Sequence, residues 1–237
     1  MSDEQQLGEL VEGWKIPARP EAPILDGFYS RLELLDADTH AEELHRVYSE
    51  DDRIWDFLPY GPFASAADYH RWVVEITAGN DPVFYAIKNL ETDRFEGVAS
   101  YLRINPEMGS IEVGHINFSV ALQRTRAATD AMYQMMKWAY TAGYRRYEWK
   151  CNALNMGSRR AAERLGFSYE GIFRQAGISK GRNRDTAWYA SIDKEWPPLR
   201  AAFGRWLNSD NFDDEGQQRE SLADLTHLIR VVDDPVL

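Results

Sequence analysis

Residues Glu112 to Ala131, EVGHINFSVALQRTRAATDA, constrain the fold of this 237-residue chain more than any other stretch. A strand pattern runs to about Val120, a short loop follows, and a helix opens at the basic, Thr-containing turn Gln123-Arg124-Thr125-Arg126. N–H groups in the first turn of a helix have no intrahelical acceptor, and the aligned peptide dipoles add partial positive charge there. An anion such as a pyrophosphate can therefore settle on backbone alone, with Arg124 and Arg126 supplementing it. An ordinary strand-loop-helix with surface arginines has the same pattern, so the segment acquires meaning from a second one. Asn152 to Gly171, NALNMGSRRAAERLGFSYEG, is a further helix that opens on Asn-x-x-Ser and closes on Gly-Phe before a new strand.

Together the two segments resemble the GCN5-related N-acetyltransferases (GNAT), whose first signature is Gln/Arg-x-x-Gly-x-Gly/Ala at the helix that holds the coenzyme A pyrophosphate. Here it reads Gln123-Arg124-Thr125-Arg126-Ala127-Ala128, continued by Thr129, with Arg126 where the family usually has glycine. Either the loop is open to a residue with a Cβ, or the Arg126 guanidinium itself reaches a phosphate. The second signature is carried by Asn155, Ser158, Ala162, Leu165, Gly166, Phe167, Glu170 and Gly171. Within the family the chain looks most like the RimJ/RimL-like branch, which acetylates ribosomal-protein N-termini. The resemblance spans roughly Phe28 to Trp196. It implies a mixed α/β (α+β) fold with a mostly antiparallel twisted sheet, helices on both faces and a splayed strand pair for the coenzyme A arm.

The hydrophobic fraction of 44% and eight tryptophans argue for a packed core, and the length suits one domain with tails. The expected division is an irregular arm over 1–27, an acyltransferase domain over 28–198, and a terminal helix, acidic linker and final segment over 199–237. No apolar run approaches the roughly 18 residues that span a bilayer, and the acidic MSDEQQLGELVEG start has no export signal, so a cytoplasmic home is expected. One cysteine excludes an internal disulfide and a multi-cysteine metal site; no metal is expected. A net charge of −11 argues against an extended nucleic-acid surface and favours amine-bearing partners.

Along the chain, Pro17, Pro20 and Pro23 break regular structure in the arm, which Trp14 and Ile16 could pin. Strands are expected over 29–35, 82–89, 96–104, 110–120, 144–152, 167–174 and 185–193, and helices over 38–50, 65–77, 127–143 and 158–165. An aromatic, Pro/Gly-punctuated loop spans Trp55 to Phe63. Met132, Met135, Met136 and Ala139 share a helix face and read as core. Residues 208–220 read as a mobile linker, and 221–237 as a docking helix or a dimer arm, which leaves a homodimer open.

Acyl transfer from a thioester to an amine needs a base, an oxyanion donor and an acid. The resemblance implies that the 112–120 and 144–152 strands separate around the pantetheine arm, with Phe118, Ser119, Val120 and Gln123 to Thr129 contacting coenzyme A. Glu112 is the candidate general base, through a water, or else a solvated strand-end carboxylate. By strand alternation His115 points to the opposite face and lines the substrate side or serves structure. Ser158 is either the donor to the departing sulfur or a helix-start serine, and Asn155 can both cap that helix and bind the pantetheine amide. Trp55, Tyr60 and His115 are candidates for the acceptor pocket, while the Lys180 to Asp185 turn reads as a solvated basic turn that could contact either substrate. The resulting expectation is an acetyl-CoA-dependent N-acetyltransferase acting through a ternary complex on a protein N-terminus or small-molecule amine. Another acyl donor, such as succinyl-CoA, and a non-catalytic acyl-CoA-binding module remain as alternatives. A dinucleotide oxidoreductase is disfavoured because no G-x-G-x-x-G follows a strand.

Overall fold

The computed structural model describes residues 7–237. Eight strands form one sheet in the order β1-β2-β3-β4-β5-β6-β8-β7. They are β1 (Ile24–Asp26), β2 (Ser30–Leu34), β3 (Val83–Asn89), β4 (Arg94–Asn105), β5 (Ser110–Phe118), β6 (Arg146–Asn152), β7 (Ser168–Ser179) and β8 (Arg182–Ile192). Every neighbouring pair is antiparallel except β5 and β6, which are parallel because the helix α3 (Arg126–Ala142) crosses between them. The mixed α/β architecture expected from the sequence is the one observed.

Strand alternation divides the core into two layers. Tyr85, Ile87, Ala99, Tyr101, Ile111, Val113, Tyr147 and Trp149 pack on one face against α3, α4 (Met156–Arg164) and α5 (Trp196–Leu207). Phe84, Ala86 and Val98 pack on the other against α1 (Ala37–Tyr48), α2 (Ala66–Thr77) and the Trp55 loop. Met132, Met135, Met136 and Ala139 lie on the buried side of α3, as their spacing predicts. Side-chain caps fix the helix starts: Asp36 for α1, Ser65 for α2, Thr125 for α3 and Asn155 for α4, each accepting a first-turn N–H at a typical gain of about 1 kcal/mol.

The termini differ from expectation. Pro17 and Pro20 are buried in the arm, whereas Ile16 is 57% exposed; the arm is held through its carbonyls, with Tyr144 and Tyr85 hydroxyls donating to Ala18 and Ala22. Trp14 does contribute, lying against the backbone of Gly109. Residues 208–220 are no loose linker. Asn211 donates to the carbonyls of Trp206 and Glu220 and accepts the Glu220 N–H, while the Trp206 indole donates to Gln218. Beyond it α6 (Leu222–His227) packs on α4 and α5, and Asp234 is buried against Arg159. These polar residues cross-link locally instead of solvating, a distinction that composition alone does not carry.

Candidate active site

The pairing of β5 with β6 runs only from Ser110↔Arg146 to Val113↔Trp149, although both strands continue. A bulge forces the parting. On β4, Ser100 pairs with Gly114 and Val98 with Asn117, so His115 and Ile116 together oppose Ala99. His115 takes φ +49°, the left-handed region that side chains other than glycine seldom adopt. The strands diverge into a cleft of about 1120 Å³ that crosses the sheet from the α3/α4 face to the α1/α2 face. Seven of its lining residues are cationic (Arg53, Arg103, Arg124, Lys150, Arg160, Arg164, Arg184) and only Glu112 is acidic, in a chain of net charge −11. That local reversal of sign fits an anionic ligand.

At the α3/α4 mouth, Thr125 caps α3 by accepting the Ala128 N–H at 3.1 Å. The N–H groups of Arg124, Arg126 and Ala127 have no acceptor among the described residues. Arg124 takes φ +63° and turns the chain into the helix; Arg126 is an ordinary first helical residue. The position where the family has glycine therefore accepts a Cβ. Its guanidinium points away from the cleft, stacking 4.8 Å from the Tyr29 ring and 5.0 Å from that of Phe212, so Arg126 offers the cleft its backbone and not its side chain. Arg164 lies beside this helix start, donating to Thr129 at 3.1 Å and stacking on Trp206.

Where the strands part, Asn155 Oδ1 accepts the Ser158 N–H at 3.0 Å, capping α4. The Trp149 indole donates to Ser158 Oγ at 3.1 Å, which leaves the hydroxyl proton of Ser158 free for a group in the cleft. Cys151 lies beside it, its thiol pushed up by burial and thus protonated at neutral pH.

The α1/α2 side holds Glu112, 3% exposed, with Arg103 at 2.7 Å from Oε1 and Lys150 at 2.8 Å from Oε2. Burial raises the carboxyl above its ordinary range, more than offsetting the lowering by Lys150 and Arg103. His115 stands on this same face, which corrects the expectation from strict alternation: the bulge inserts a residue, so Ile116 and not His115 turns to the α3 core. Its Nδ1 lies 2.9 Å from the Tyr60 hydroxyl, and its ring packs on Tyr60 and Phe84. Burial, with Arg103 and Arg184 nearby, pushes its pKa down to about 4, so the imidazole is neutral at pH 7.

Of the residues singled out in the sequence, Glu112, His115, Phe118, Gln123, Arg124, Ala128, Thr129, Asn155 and Ser158 line the cleft. Ser119 is buried below it, where its carbonyl and hydroxyl accept N–H groups of the turn, and Val120 is exposed outside. Trp55 does not line it either: the indole is buried among Tyr48, Tyr60, Phe63 and Tyr69, and it is Phe57, Leu58 and Pro59 of this loop, with Arg53 and Ile54 of the turn before it, that face the cleft. Large aromatics in a punctuated loop found the core first. Arg184, part of the basic segment singled out in the sequence, lines the cleft, whereas Arg103, Lys150 and Trp188 escaped sequence reading; for Lys150 the signal was present, since alternation with the buried Tyr147, Trp149 and Cys151 places it beside Glu112.

Residues 31–168 match the family model described as an acetyltransferase (GNAT) domain. A solved GCN5-related N-acetyltransferase from Brucella melitensis is 40% identical, with a TM-score of 0.89 over 92% of this chain and 100% of that one. A probable GNAT-family acetyltransferase from Chromobacterium violaceum is 38% identical, with a TM-score of 0.78 over 81% of this chain and 98% of that one. RimL, a ribosomal L7/L12 α-N-protein acetyltransferase, shares the fold at 22% identity and a TM-score of 0.62, covering 71% of this chain and 93% of its own. No curated protein matches. The cleft through a parted parallel pair and the two signatures thus stand in an N-acetyltransferase. The chain belongs to the GNAT family, whose members draw their acetyl group from acetyl-CoA. Among the described residues no helix is long and apolar enough to cross a membrane.

Proposed function

We propose that acetyl-CoA enters from the α3/α4 face, its pyrophosphate on the Arg124, Arg126 and Ala127 N–H groups and its pantetheine arm between β5 and β6. The acceptor, a primary amine, then approaches from the α1/α2 face. One observation carries this reading: a single cleft joins the unsatisfied helix start to the Glu112 face through the gap between two strands that stop pairing. Pantetheine amides can pair with the strand edges exposed there as an added strand would, with Asn155, Phe118 and Gln123 alongside. Ser119 supports the turn from beneath.

The amine nitrogen attacks the thioester carbonyl carbon; the C–N bond forms and the C–S bond breaks. The proton lost by nitrogen passes through a water to Glu112, whose desolvation makes it a better base than a solvated carboxylate. The departing sulfur receives a hydrogen bond from Ser158 Oγ, which the Trp149 indole holds in donor orientation. Transfer is direct, because Cys151 is buried and protonated and no activated nucleophile stands in the cleft among the described residues. Tyr60 positions His115 on the acceptor side. A protein N-terminus and a small-molecule amine both fit this chemistry, and the free buried cysteine accords with a reducing cytoplasm.

The test is thiol release with Glu112→Gln and Ser158→Ala. Glu112→Gln should lower kcat by about 10²-fold or more and flatten its rise with pH, while acetyl-CoA affinity stays near wild type. Ser158→Ala should lower kcat about tenfold through the loss of one hydrogen bond to sulfur. Turnover by Glu112→Gln that equals wild type at every pH would remove Glu112 from the reaction.

A further inference from the structure

The basic segment from Lys180 to Asp185, which the sequence reads as a turn, turns only at Lys180-Gly181 and then opens β8; it plays no part in the reaction just described, yet it is where the charge balance of the cleft fails. Elsewhere on the acceptor face the charges are matched. Arg103 lies 2.7 Å from Glu112, Lys150 lies 2.8 Å from Glu112 and 2.7 Å from Glu148, and Arg146 lies 2.6 Å from Glu148 and from Glu170. Among the cations that line this part of the cleft, Arg184 is the exception. Its guanidinium lines the cleft half-buried, its one hydrogen bond runs from Nε to Thr186 Oγ1 at 3.3 Å, and no carboxylate among the described residues pairs with it. Neighbouring Asp185 is committed elsewhere, accepting from the Gln175 N–H at 2.7 Å and from Asn183 at 3.0 Å.

Register fixes where this cation stands. Lys150 pairs with Trp188 across β6 and β8, and its ammonium lies 3.8 Å from the centre of that ring, so Thr186 and Trp188 share the Glu112 face. Arg184, two residues before Thr186 and bonded to it, projects on the same side. It also stands close enough to His115 to disfavour the imidazolium. Above this chamber the hairpin tip reaches the opposite wall, where Lys180 Nζ donates to the Trp55 carbonyl at 2.8 Å. Phe173 and Trp188, which both line the cleft, stack at 4.3 Å. A bridge across the two walls favours a small molecule over a folded protein surface on steric grounds.

A partly desolvated guanidinium without a counterion is a bidentate donor for an oxyanion. The acetyl group carries no charge, so the anion belongs to the acceptor. We propose, building on the transferase reading, that the acceptor is a small primary amine bearing a carboxylate, which Arg184 holds beneath the Lys180–Trp55 bridge while the nitrogen faces Glu112. Since the chain as a whole repels anions, a local unpaired cation supplies the discrimination that bulk charge cannot.

The experiment measures thiol release from acetyl-CoA with L-amino acids against their carboxamides, phosphoethanolamine against ethanolamine, and an acidic hexapeptide with a free amino terminus. Carboxylates should exceed carboxamides in kcat/KM by about tenfold or more, as one charge-assisted bidentate contact implies. In Arg184→Gln that ratio should fall to within about twofold of unity, and Arg184→Lys, which keeps the charge and guards against a folding artefact, should retain part of it. A wild-type ratio near one, a ratio that survives in Arg184→Gln, a preference for the phosphorylated pair alone, or activity confined to the hexapeptide would overturn the proposal. So would a higher kcat/KM with succinyl-CoA than with acetyl-CoA, because the anion would then sit on the donor. Calorimetric titration with acetyl-CoA separates the two levels: absence of binding removes the transferase reading with this one, whereas binding without acceptor preference removes only the carboxylate.

Discussion

Replacing Asp234 with alanine should destabilise the whole molecule, although only three residues follow it in the sequence. Asp234 and Arg159 are each 4% exposed. The carboxylate accepts from Arg159 Nε at 2.7 Å and Nη2 at 2.5 Å, and from the Tyr189 hydroxyl. Burial alone would raise its pKa, but the Arg159 and Tyr189 hydrogen bonds outweigh that and hold it below the usual carboxylate range. Removing it leaves a buried guanidinium with the Ala153 carbonyl at 2.8 Å as its remaining strong acceptor. Breaking a buried pair from one side typically destabilises by about 3–5 kcal/mol, at least a fifth of an ordinary domain's stability of roughly 5–15 kcal/mol. Urea unfolding followed by tryptophan fluorescence should show a lower midpoint at unchanged slope, and Arg159→Met combined with Asp234→Leu should recover most of the loss. Arg159 follows Ser158 on α4, so kcat should fall with stability in the single variant. A loss below about 1 kcal/mol would refute the reasoning and return the terminal segment to the status of a loose tail.

His115 should make stability pH-dependent. Its folded pKa of about 4 lies below the ordinary histidine value of 6.5, so the unfolded chain binds the proton first, and stability falls as pH drops from 6.5 towards 4. The full effect is at most about 3 kcal/mol. His115→Gln should lose less stability than wild type between pH 7.5 and pH 5 in urea titrations, and equal losses would contradict the buried, neutral imidazole. Gly166→Ala should destabilise by about 2 kcal/mol, because the residue has φ +89° and an added Cβ would collide with Leu199 Cδ2 and lie 3.4 Å from Thr226. A thermal midpoint within a degree of wild type would count against the close packing of α4, α5 and α6.

The sequence was legible where local periodicity decides conformation. The alternation of YSRLELL, the Met132/Met135/Met136 stripe and the Thr125 and Asn155 caps each predict the element that forms, usually within a few residues. Legibility failed where one residue changes register or where polar groups find distant partners. The bulge at His115 rests on a single left-handed φ that nothing in EVGHINF announces, and it moves the histidine to the face of Glu112. Asn211, Gln218 and Asp234 look like solvent-exposed residues in a low-hydrophobicity tail until their partners, Trp206, Glu220 and Arg159, are brought up against them. The unpaired state of Arg184 is a property of three-dimensional charge matching and has no sequence signature at all.

In the proposed reaction, backbone N–H groups at the start of α3 hold the coenzyme A pyrophosphate, and a pair of substitutions at one position isolates their contribution. Arg126 is the first residue of α3, where proline is tolerated, and Thr125 before it is already extended at φ −88°, ψ 166°. Arg126→Ala removes the side chain and keeps the N–H, whereas Arg126→Pro removes both. Calorimetric titration with acetyl-CoA should find Arg126→Ala near wild type and Arg126→Pro weaker by about tenfold, the loss of one charge-assisted hydrogen bond. Equal affinity of the two variants would contradict the cradle.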